Sequence, residues 1–271
     1  MSIENSENSG INEQPPDKPE TTDSNSSSGD KVNFFNEEYF SNENYRVPKG
    51  YMAYDNDGFW KSAISSMFKY GKDLENDSYL DLGCAFGHLL KRSPYTNIYG
   101  ADISIEPALK RAQKALKENG KTYDTLVQLD ADDNLPYKSG TFGCVTALDI
   151  IEHTKDRSHT IQEISRVMKD GGLLIVGAPI TDTTEGKFWG EHLDKDKTHV
   201  SKPTREEFFS DLENSGFEIL EYRYYFPLTN AKIRWPRTNM EIVAIKSNKT
   251  PEELRTLHQE RFKSADFLRS E

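Results

Sequence analysis

Apolar and polar positions between residues 76 and 248 follow two alternating patterns. Short apolar runs predict buried strands, and longer stretches with apolar residues three or four apart predict helices between them. The predicted strands are 79–82, 97–103, 124–129, 142–148, 172–178, 217–225 and 240–246. The predicted helices include one near 87–92, those at 105–119 and 157–168, and one that begins at a capping box on Thr204. Because strands and helices alternate, we expect a mainly parallel sheet.

Residues 32–75 are rich in aromatic side chains and predict an N-terminal helical segment that packs on this sheet. Tyr51 and Tyr54 lie in the middle of the segment, and Phe59 and Trp60 follow them. Two interpretations remain open. The segment is either a helical cap that shields the first strand, or a lid in which Tyr51 and Tyr54 cover a bound ligand.

The most informative stretch is 78–88, where an apolar strand runs into a turn that contains Gly83 and Gly87. Glycine permits backbone angles and a close approach that a side chain would block, and a helix after the turn would direct unpaired N–H groups at a ligand. Asp102 ends the second strand about 20 residues later, the spacing at which a carboxylate accepts hydrogen bonds from ribose hydroxyls. Ser104 fits the N-cap of the next helix, which leaves Asp102 for a nucleotide-like ligand.

Residues 80–87, with the sequence Leu-Asp-Leu-Gly-Cys-Ala-Phe-Gly, resemble the first motif of the class I S-adenosylmethionine-dependent methyltransferases. Segments 129–136, 141–153 and 164–176 follow in the order typical of that family. The resemblance implies an α/β, Rossmann-like fold with seven strands, the last antiparallel, and helices on both faces. It also implies S-adenosylmethionine as the cofactor and methyl transfer as the activity.

The resemblance further implies a set of cofactor-binding residues, four of which also fall at the carboxyl ends of predicted strands, where parallel sheets bind ligands. Those four are Gly83, Asp102, Asp130 and Leu148. The other members of the predicted set are Asp81, Cys84, Ala85, Gly87, Ile103, Ala131 and Asp149. Ala85 stands where the family usually has glycine, and alanine is compatible with a ligand there if its φ is negative.

In-line methyl transfer depends mainly on holding the reactants in position, and a base is needed only if the acceptor loses a proton. His153 and His199 are the candidate catalytic residues, because imidazole titrates near neutral pH. The alternative for both is a capping or surface role. We expect Tyr51, Tyr54 and Glu152 to contact the substrate or form the lid; Glu152 and Asp149 also suit the cofactor's ammonium group.

Composition divides the chain of 271 residues, of which 35% are hydrophobic, into one domain with polar ends. Residues 1–31 are predicted to be a disordered acidic tail, since they lack aromatic residues and carry many carboxylates. The predicted lid covers 32–75, the cofactor-binding domain 76–248, and a C-terminal helix or tail 249–271.

Charge and cysteine content exclude several classes of function. A formal net charge of −11 argues against nucleic-acid binding, and the small basic cluster Lys232, Arg234 and Arg237 suits an anionic small substrate or a solvated loop. The sequence lacks an apolar run long enough for a membrane span and lacks a secretory signal, so we expect a cytoplasmic protein without a membrane partner. Two cysteines, Cys84 and Cys144, predict reduced thiols and no metal site.

These observations predict a methyltransferase that acts on oxygen or nitrogen of a small metabolite such as a sugar, a quinol or a specialised metabolite, as a monomer or homodimer. Protein or peptide methylation is a second hypothesis, with the polar loop 181–199 as the recognition surface. A third is a non-catalytic, cofactor-binding subunit of a partner enzyme, with the acidic tail as its tether.

Overall fold

The protein is seen here as a computed structural model that describes residues 28–41, 50–55, 57–194, 196–225 and 238–267. Its centre is one sheet with the strand order β3-β2-β1-β4-β5-β7-β6. The strands are β1 (Ser78–Leu82), β2 (Asn97–Asp102), β3 (Thr125–Gln128), β4 (Phe142–Leu148), β5 (Met168–Pro179), β6 (Phe217–Tyr225) and β7 (Asn239–Lys246). Among the strands of the described residues, only β7 runs antiparallel to its neighbours. The predicted Rossmann-like fold is therefore confirmed, including the reversal of strand order between β1 and β4.

Helices lie on both faces of the sheet, and two of them precede the first strand in the chain. They are α1 (Ser28–Phe34), α2 (Asp57–Tyr70), α3 (Lys110–Glu118), α4 (Arg157–Val167), α5 (Thr184–Phe188), α6 (Arg205–Asn214) and α7 (Pro251–Phe267). Single helical turns occur at Gly50–Tyr54, Leu90–Arg92, Ile105–Leu109, Ile151–His153 and Trp189–Leu193. The predicted capping box on Thr204 is present, because Thr204 Oγ1 accepts from Glu207 N and the Glu207 carboxylate accepts from Thr204 N.

Side chains from the two faces of the sheet form separate cores. Tyr79 and Leu80 are adjacent in β1 and both are fully buried, but they belong to different cores, as the alternation of side chains in a strand requires. The core on the Leu80 side packs against α4 and α6, and the core on the Tyr79 side packs against α2 and α3. Because both cores cover the faces of the sheet, neither of them covers the carboxyl ends of the parallel strands.

The structure corrects three local predictions. The helix expected near 87–92 is only the single turn Leu90–Arg92, so no helix N-terminus follows the glycine turn. The regular part of the helix expected from 105 begins at Lys110, after a wide turn that contains Pro107, whose ring removes a backbone donor. The segment expected to be a polar loop at 181–199 contains α5 and the turn Trp189–Leu193.

The C-terminal helix α7 packs on α6 and β6 through a buried histidine that an apolar pattern does not reveal. His258 is 3% exposed; its Nε2 atom accepts a hydrogen bond from Ile219 N at 2.8 Å, and Nδ1 donates to Glu213 Oε1 at 2.8 Å. Leu254 and Phe262 lie on the same side of the helix, one turn away in each direction. The packed side of this helix therefore includes a polar residue, His258, between Leu254 and Phe262, which is why its apolar residues alone look irregularly spaced.

We expect His258→Ala to destabilise the protein by about 2–4 kcal/mol, since it leaves a buried N–H unsatisfied and removes a partner of the buried Glu213 carboxylate. Urea unfolding followed by circular dichroism measures this change. The matched control is Gln259→Ala, the next residue on the same helix, which is exposed and should change stability by less than about 0.5 kcal/mol. Equal effects of the two substitutions would contradict the role given to His258.

Several predictions fall outside the described residues. They concern the acidic tail up to residue 27, the four C-terminal residues, and the basic cluster Lys232, Arg234 and Arg237. Within the described ranges, no helix combines the length and apolar character needed to cross a bilayer.

Candidate active site

A cavity of about 430 Å³ lies at the carboxyl ends of β1, β2 and β4, beneath the N-terminal aromatic segment. Most of the predicted site residues line it. They are Tyr51, Tyr54, Gly83, Ala85, Asp102, Ile103, Asp130, Ala131, Leu148, Asp149, Glu152, His153 and His199. The strand reversal between β1 and β4 therefore brings together residues that are far apart in the sequence.

Three predicted cofactor residues lie beneath the cavity wall instead of lining it. Asp81 is buried and accepts a hydrogen bond from Thr146 Oγ1 at 2.6 Å, and burial raises the pKa of Asp81 to about 7. Cys84 packs on Gly100, where a Cβ would lie 3.1 Å from its sulfur. A Cβ on Gly87 would come within 3.0 Å of Ala112 in α3. These three residues of the motif therefore hold the turn and its strand in place by packing and by the Thr146 hydrogen bond, and none of them lines the cavity.

The turn after β1 is held by Asp102. Its Oδ2 atom accepts from Ala85 N at 2.8 Å, and its Oδ1 atom accepts from Ser104 N at 2.9 Å. Gly83 has φ +76°, and a Cβ there would lie 3.1 Å from the Ile150 side chain. Burial raises the pKa of Asp102 to about 6, although these backbone hydrogen bonds oppose the shift. Asp102 thus organises the turn and also presents a carboxylate to the cavity.

At this turn the structure does not meet the condition of a negative φ at Ala85, and the expectation for Ser104 was wrong. Ala85 has φ +42°, so the left-handed region is occupied by alanine, at a cost of about 1–2 kcal/mol that the Asp102 hydrogen bond helps to offset. Ser104 does not cap the next helix with its side chain; instead its backbone N–H binds Asp102.

The aromatic segment closes the cavity and is attached to loops on two sides. Phe35, Tyr39 and Phe40 are buried and pack on Ala85 and Phe86 of the turn. On one side, Lys31 pairs with Asp130 at 3.2 Å and also with Asp132. On the other side, the Tyr39 hydroxyl donates to Asp196 Oδ2 at 2.9 Å. The segment therefore forms a roof over the cavity and packs on the turn after β1.

Glu152, His153 and His199 form a titratable cluster that lines the same cavity as Gly83 and Ala85 of the glycine turn. Glu152 is 1% exposed, and the rings of His153 and His199 have centroids 4.8 Å apart. Although burial opposes it, the hydrogen bond to Asp194 raises the pKa of His199 to about 9. Burial and the charge of His199 lower the pKa of His153 to about 4, while burial and Asp149 raise that of Glu152.

The same three residues are a group that could hold a metal ion, because one candidate ligand atom of each lies within 4.8 Å of the others. Neither cysteine belongs to this group. The expectation of no metal site was based on cysteine content, which gives no sign of a site made of histidine and glutamate.

Sequence reasoning also missed the residues that orient Asp149. This residue has φ +52°, and its Oδ1 atom accepts from the Tyr225 hydroxyl at 2.8 Å and from Asn239 Nδ2 at 3.2 Å. Tyr225 and Asn239 belong to β6 and β7, which pair with each other in the second half of the sheet. Asp149 follows β4, so its two partners lie more than 70 residues further along the chain, and no local sequence pattern indicates such contacts.

A family model described as a methyltransferase domain matches residues 52–222, which is more than half of the chain. The chain belongs to the methyltransferase domain family. The family predicted from the motifs is thus confirmed.

Curated relatives of this chain include named methyltransferases, and a solved structure shares its fold. The sarcosine/dimethylglycine N-methyltransferase of Halorhodospira halochloris is 26% identical over 170 residues, which are 60% of this chain and 59% of that protein. The 27-O-demethylrifamycin SV methyltransferase of Amycolatopsis mediterranei is 33% identical over 107 residues, which are 37% of this chain and 38% of the relative. The chain thus matches less than two thirds of the length of either. An S-adenosylmethionine-dependent methyltransferase structure from Clostridium acetobutylicum has the same fold, with a TM-score of 0.55 at 15% identity over 71% of this chain and 92% of that one.

S-adenosylmethionine, the cofactor predicted from the sequence, is the cofactor that membership of this methyltransferase family implies. The residues present fit it. Asp102 offers a carboxylate at the end of β2, and Gly83 keeps side-chain atoms out of the turn. Asp149 and Glu152 place acidic groups on the wall of the cavity, which suits a ligand that carries a sulfonium and an ammonium group.

Proposed function

We propose that this methyltransferase transfers a methyl group from S-adenosylmethionine to an oxygen or nitrogen atom of a small-molecule acceptor. The observation that carries the proposal is a single cavity of about 430 Å³ that contains both the strand-end residues suited to the cofactor and a separate polar cluster. Cavities of a few hundred Å³ are typical of small-molecule sites.

Residues on the β1–β3 side are proposed to hold the cofactor. Asp102 would accept hydrogen bonds from the ribose hydroxyls, and Asp130 and Ala131 would lie beside the adenine. When bound, S-adenosylmethionine supplies a methyl group on a positively charged sulfur, open to in-line displacement. Lys31 pairs with Asp130, so α1 covers this end of the cavity and limits access of water.

Residues after β4 are proposed to hold the acceptor. Glu152, His153 and His199 present polar atoms to the cavity from the β4 side of the strand reversal. A hydroxyl or amine bound there would face the cofactor side of the same cavity, which is the geometry that proximity catalysis needs. The cluster would also be next to the proton that a hydroxyl or ammonium acceptor gives up.

The aromatic roof supports a compact acceptor over a peptide. Tyr39, Phe40, Tyr51, Tyr54 and Trp60 all line the cavity, and Phe35 packs edge-on against His153. A folded protein substrate would have to displace this segment, together with its links to Asp130 and Asp196. The two curated relatives named above also carry the names of small acceptors, an N-methylated amino acid and a rifamycin.

The purified full-length protein, incubated with methyl-labelled S-adenosylmethionine and a panel of small amines, phenols, quinols and sugars, tests the proposal. We expect labelled product from at least one class, detected by mass spectrometry, and none when protein is omitted. A peptide library is tested in parallel under the same conditions. Label on peptides without label on any small acceptor would overturn the proposal in favour of peptide methylation.

A further inference from the structure

We infer that Glu152, His153 and His199 form a binding site for one divalent transition-metal ion. One candidate ligand atom of each residue lies within 4.8 Å of those of the other two. Two imidazole nitrogens and a carboxylate oxygen form a ligand set that suits Zn²⁺ or Fe²⁺, whereas Mg²⁺ and Ca²⁺ prefer oxygen ligands. Three protein ligands beside a cavity leave coordination positions open, as in catalytic metal sites.

The carboxylate of Glu152 gives an independent indication that a ligand belongs at this position. Its side chain lines the cavity and is only 1% exposed. Its Oε2 atom is buried and has no hydrogen-bond partner within the part of the chain that the structure describes. Buried carboxylate oxygens are normally paired, and a bound cation would supply the missing partner.

Hydrogen bonds behind the two histidines leave the same nitrogen of each ring available. His199 Nδ1 is 2.7 Å from Asp194 Oδ2, an acceptor, so Nδ1 carries the proton. His153 Nδ1 is 2.8 Å from Thr198 Oγ1, and Thr198 donates its own hydroxyl proton to Asp196, so Nδ1 of His153 is again the donor. In each ring Nε2 is therefore the atom left for a metal ion, which binds the deprotonated nitrogen, so metal binding would release the proton that His199 Nε2 holds at neutral pH.

The backbone also fixes the two ligand-bearing segments to each other. Val200 N and Ser201 N both donate to the carbonyl oxygen of Glu152, at 2.8 and 3.1 Å. Lys202 pairs with Asp194 at 2.9 Å and holds the carboxylate that orients His199. Carboxylates and hydroxyls behind metal-binding histidines have this positioning role in known classes of metal sites.

The ligand atoms are spaced slightly wider than a bound ion requires. His199 Nε2 and Glu152 Oε1 are 4.0 Å apart, and ligands about 2.0–2.2 Å from one ion lie about 3–3.5 Å from each other. Metal binding therefore requires side-chain rotation that brings the ligand atoms, which lie within 4.8 Å of one another, to this spacing; within the described residues no hydrogen bond to Glu152 Oε2 opposes it. The role of the ion, which is to bind and polarise an acceptor oxygen, rests on the proposed function; its binding does not.

Cobalt titration of the untagged, chelator-treated full-length protein tests the site. We expect one Co²⁺ per chain, seen as a visible d–d absorption band, and displacement of this band by Zn²⁺. Glu152→Gln and His199→Asn should each weaken Co²⁺ binding by about tenfold or more. The matched control is His192→Asn, an exposed histidine in the same segment, which should bind Co²⁺ as the natural protein does.

Far-UV circular dichroism and thermal denaturation of every variant check folding independently of both the metal and the cofactor. Loss of the Co²⁺ band in a variant that keeps the folded spectrum supports the site. Absence of stoichiometric Co²⁺ binding to the natural protein, or equal binding after Glu152→Gln and His199→Asn, overturns the inference. Methyl transfer that persists in the chelator-treated protein would then leave the proposed function in place without the metal.

Discussion

Replacing Gly83 by valine is expected to weaken S-adenosylmethionine binding by at least about 100-fold, equivalent to about 2.8 kcal/mol. A Cβ at this position would lie 3.1 Å from the Ile150 side chain, and Gly83 has φ +76°. The two methyl groups of valine would have to displace Ile150 or enter the cavity that Gly83 lines. Isothermal titration with the cofactor measures the change.

The control for Gly83→Val is Gly120→Val. Gly120 also has a positive φ, +65°, but a Cβ there meets nothing within 4 Å. Both variants therefore suffer backbone strain, and only Gly83→Val places atoms in the cavity. If Gly83→Val does not fold, Gly83→Ala serves in its place. Equal cofactor affinity of the Gly83 and Gly120 variants would show that the cofactor does not bind at the turn after β1.

The second large effect is expected at Asp102. We expect Asp102→Asn to weaken cofactor binding by about 10- to 100-fold, in line with 1.5–3 kcal/mol for a hydrogen bond to a charged group. Asparagine has the shape of aspartate, so it can still accept from one of the two backbone donors, Ala85 N or Ser104 N. Isothermal titration gives the affinity, and thermal denaturation shows whether the turn itself is weakened.

Asp102 should also make cofactor affinity depend on pH. Burial raises its pKa to about 6, so the carboxylate is ionised at pH 7.5 but only about one tenth ionised at pH 5. Affinity should therefore rise from pH 5 to pH 7.5, up to about tenfold from this group, and Asp102→Asn should reduce that slope. Asp124→Asn, an exposed carboxylate just before β3, is the control and should retain it. A slope unchanged in Asp102→Asn would exclude this carboxylate as its source.

Much of the site was predictable because its residues come directly after strands. Asp102, Asp130 and Leu148 were expected at strand ends, and all three line the cavity. In parallel sheets, ligands bind at the carboxyl ends of the strands, so a residue that directly follows a predicted strand is expected at the ligand site. Asp81, Cys84 and Gly87 show the limit of a motif, since it does not separate residues that line the cavity from those that support the turn.

Other features had no local signal. Ala85 adopts φ +42° because Asp102, in another strand, binds its N–H. His258 is a core residue because Ile219 and Glu213 meet both of its ring nitrogens. Neither set of contacts can be predicted from residue type and spacing, because the contacts join segments that only folding brings together.

By itself, the sequence determined the number, type and approximate position of the strands and the main helices, and with them the fold. Those properties follow from the periodicity of apolar residues and from glycine turns, which act over a few neighbouring positions. The family followed from the resemblance of four sequence segments to known motifs. Only the tertiary structure decided which polar groups face each other in the cavity, including the union of Glu152 and His153 with His199 and the partners of Asp149. Hydrogen bonds between distant segments depend on atomic positions to within a few tenths of an ångström, and those atoms come into reach only when the strands pair and the loops after them bind each other.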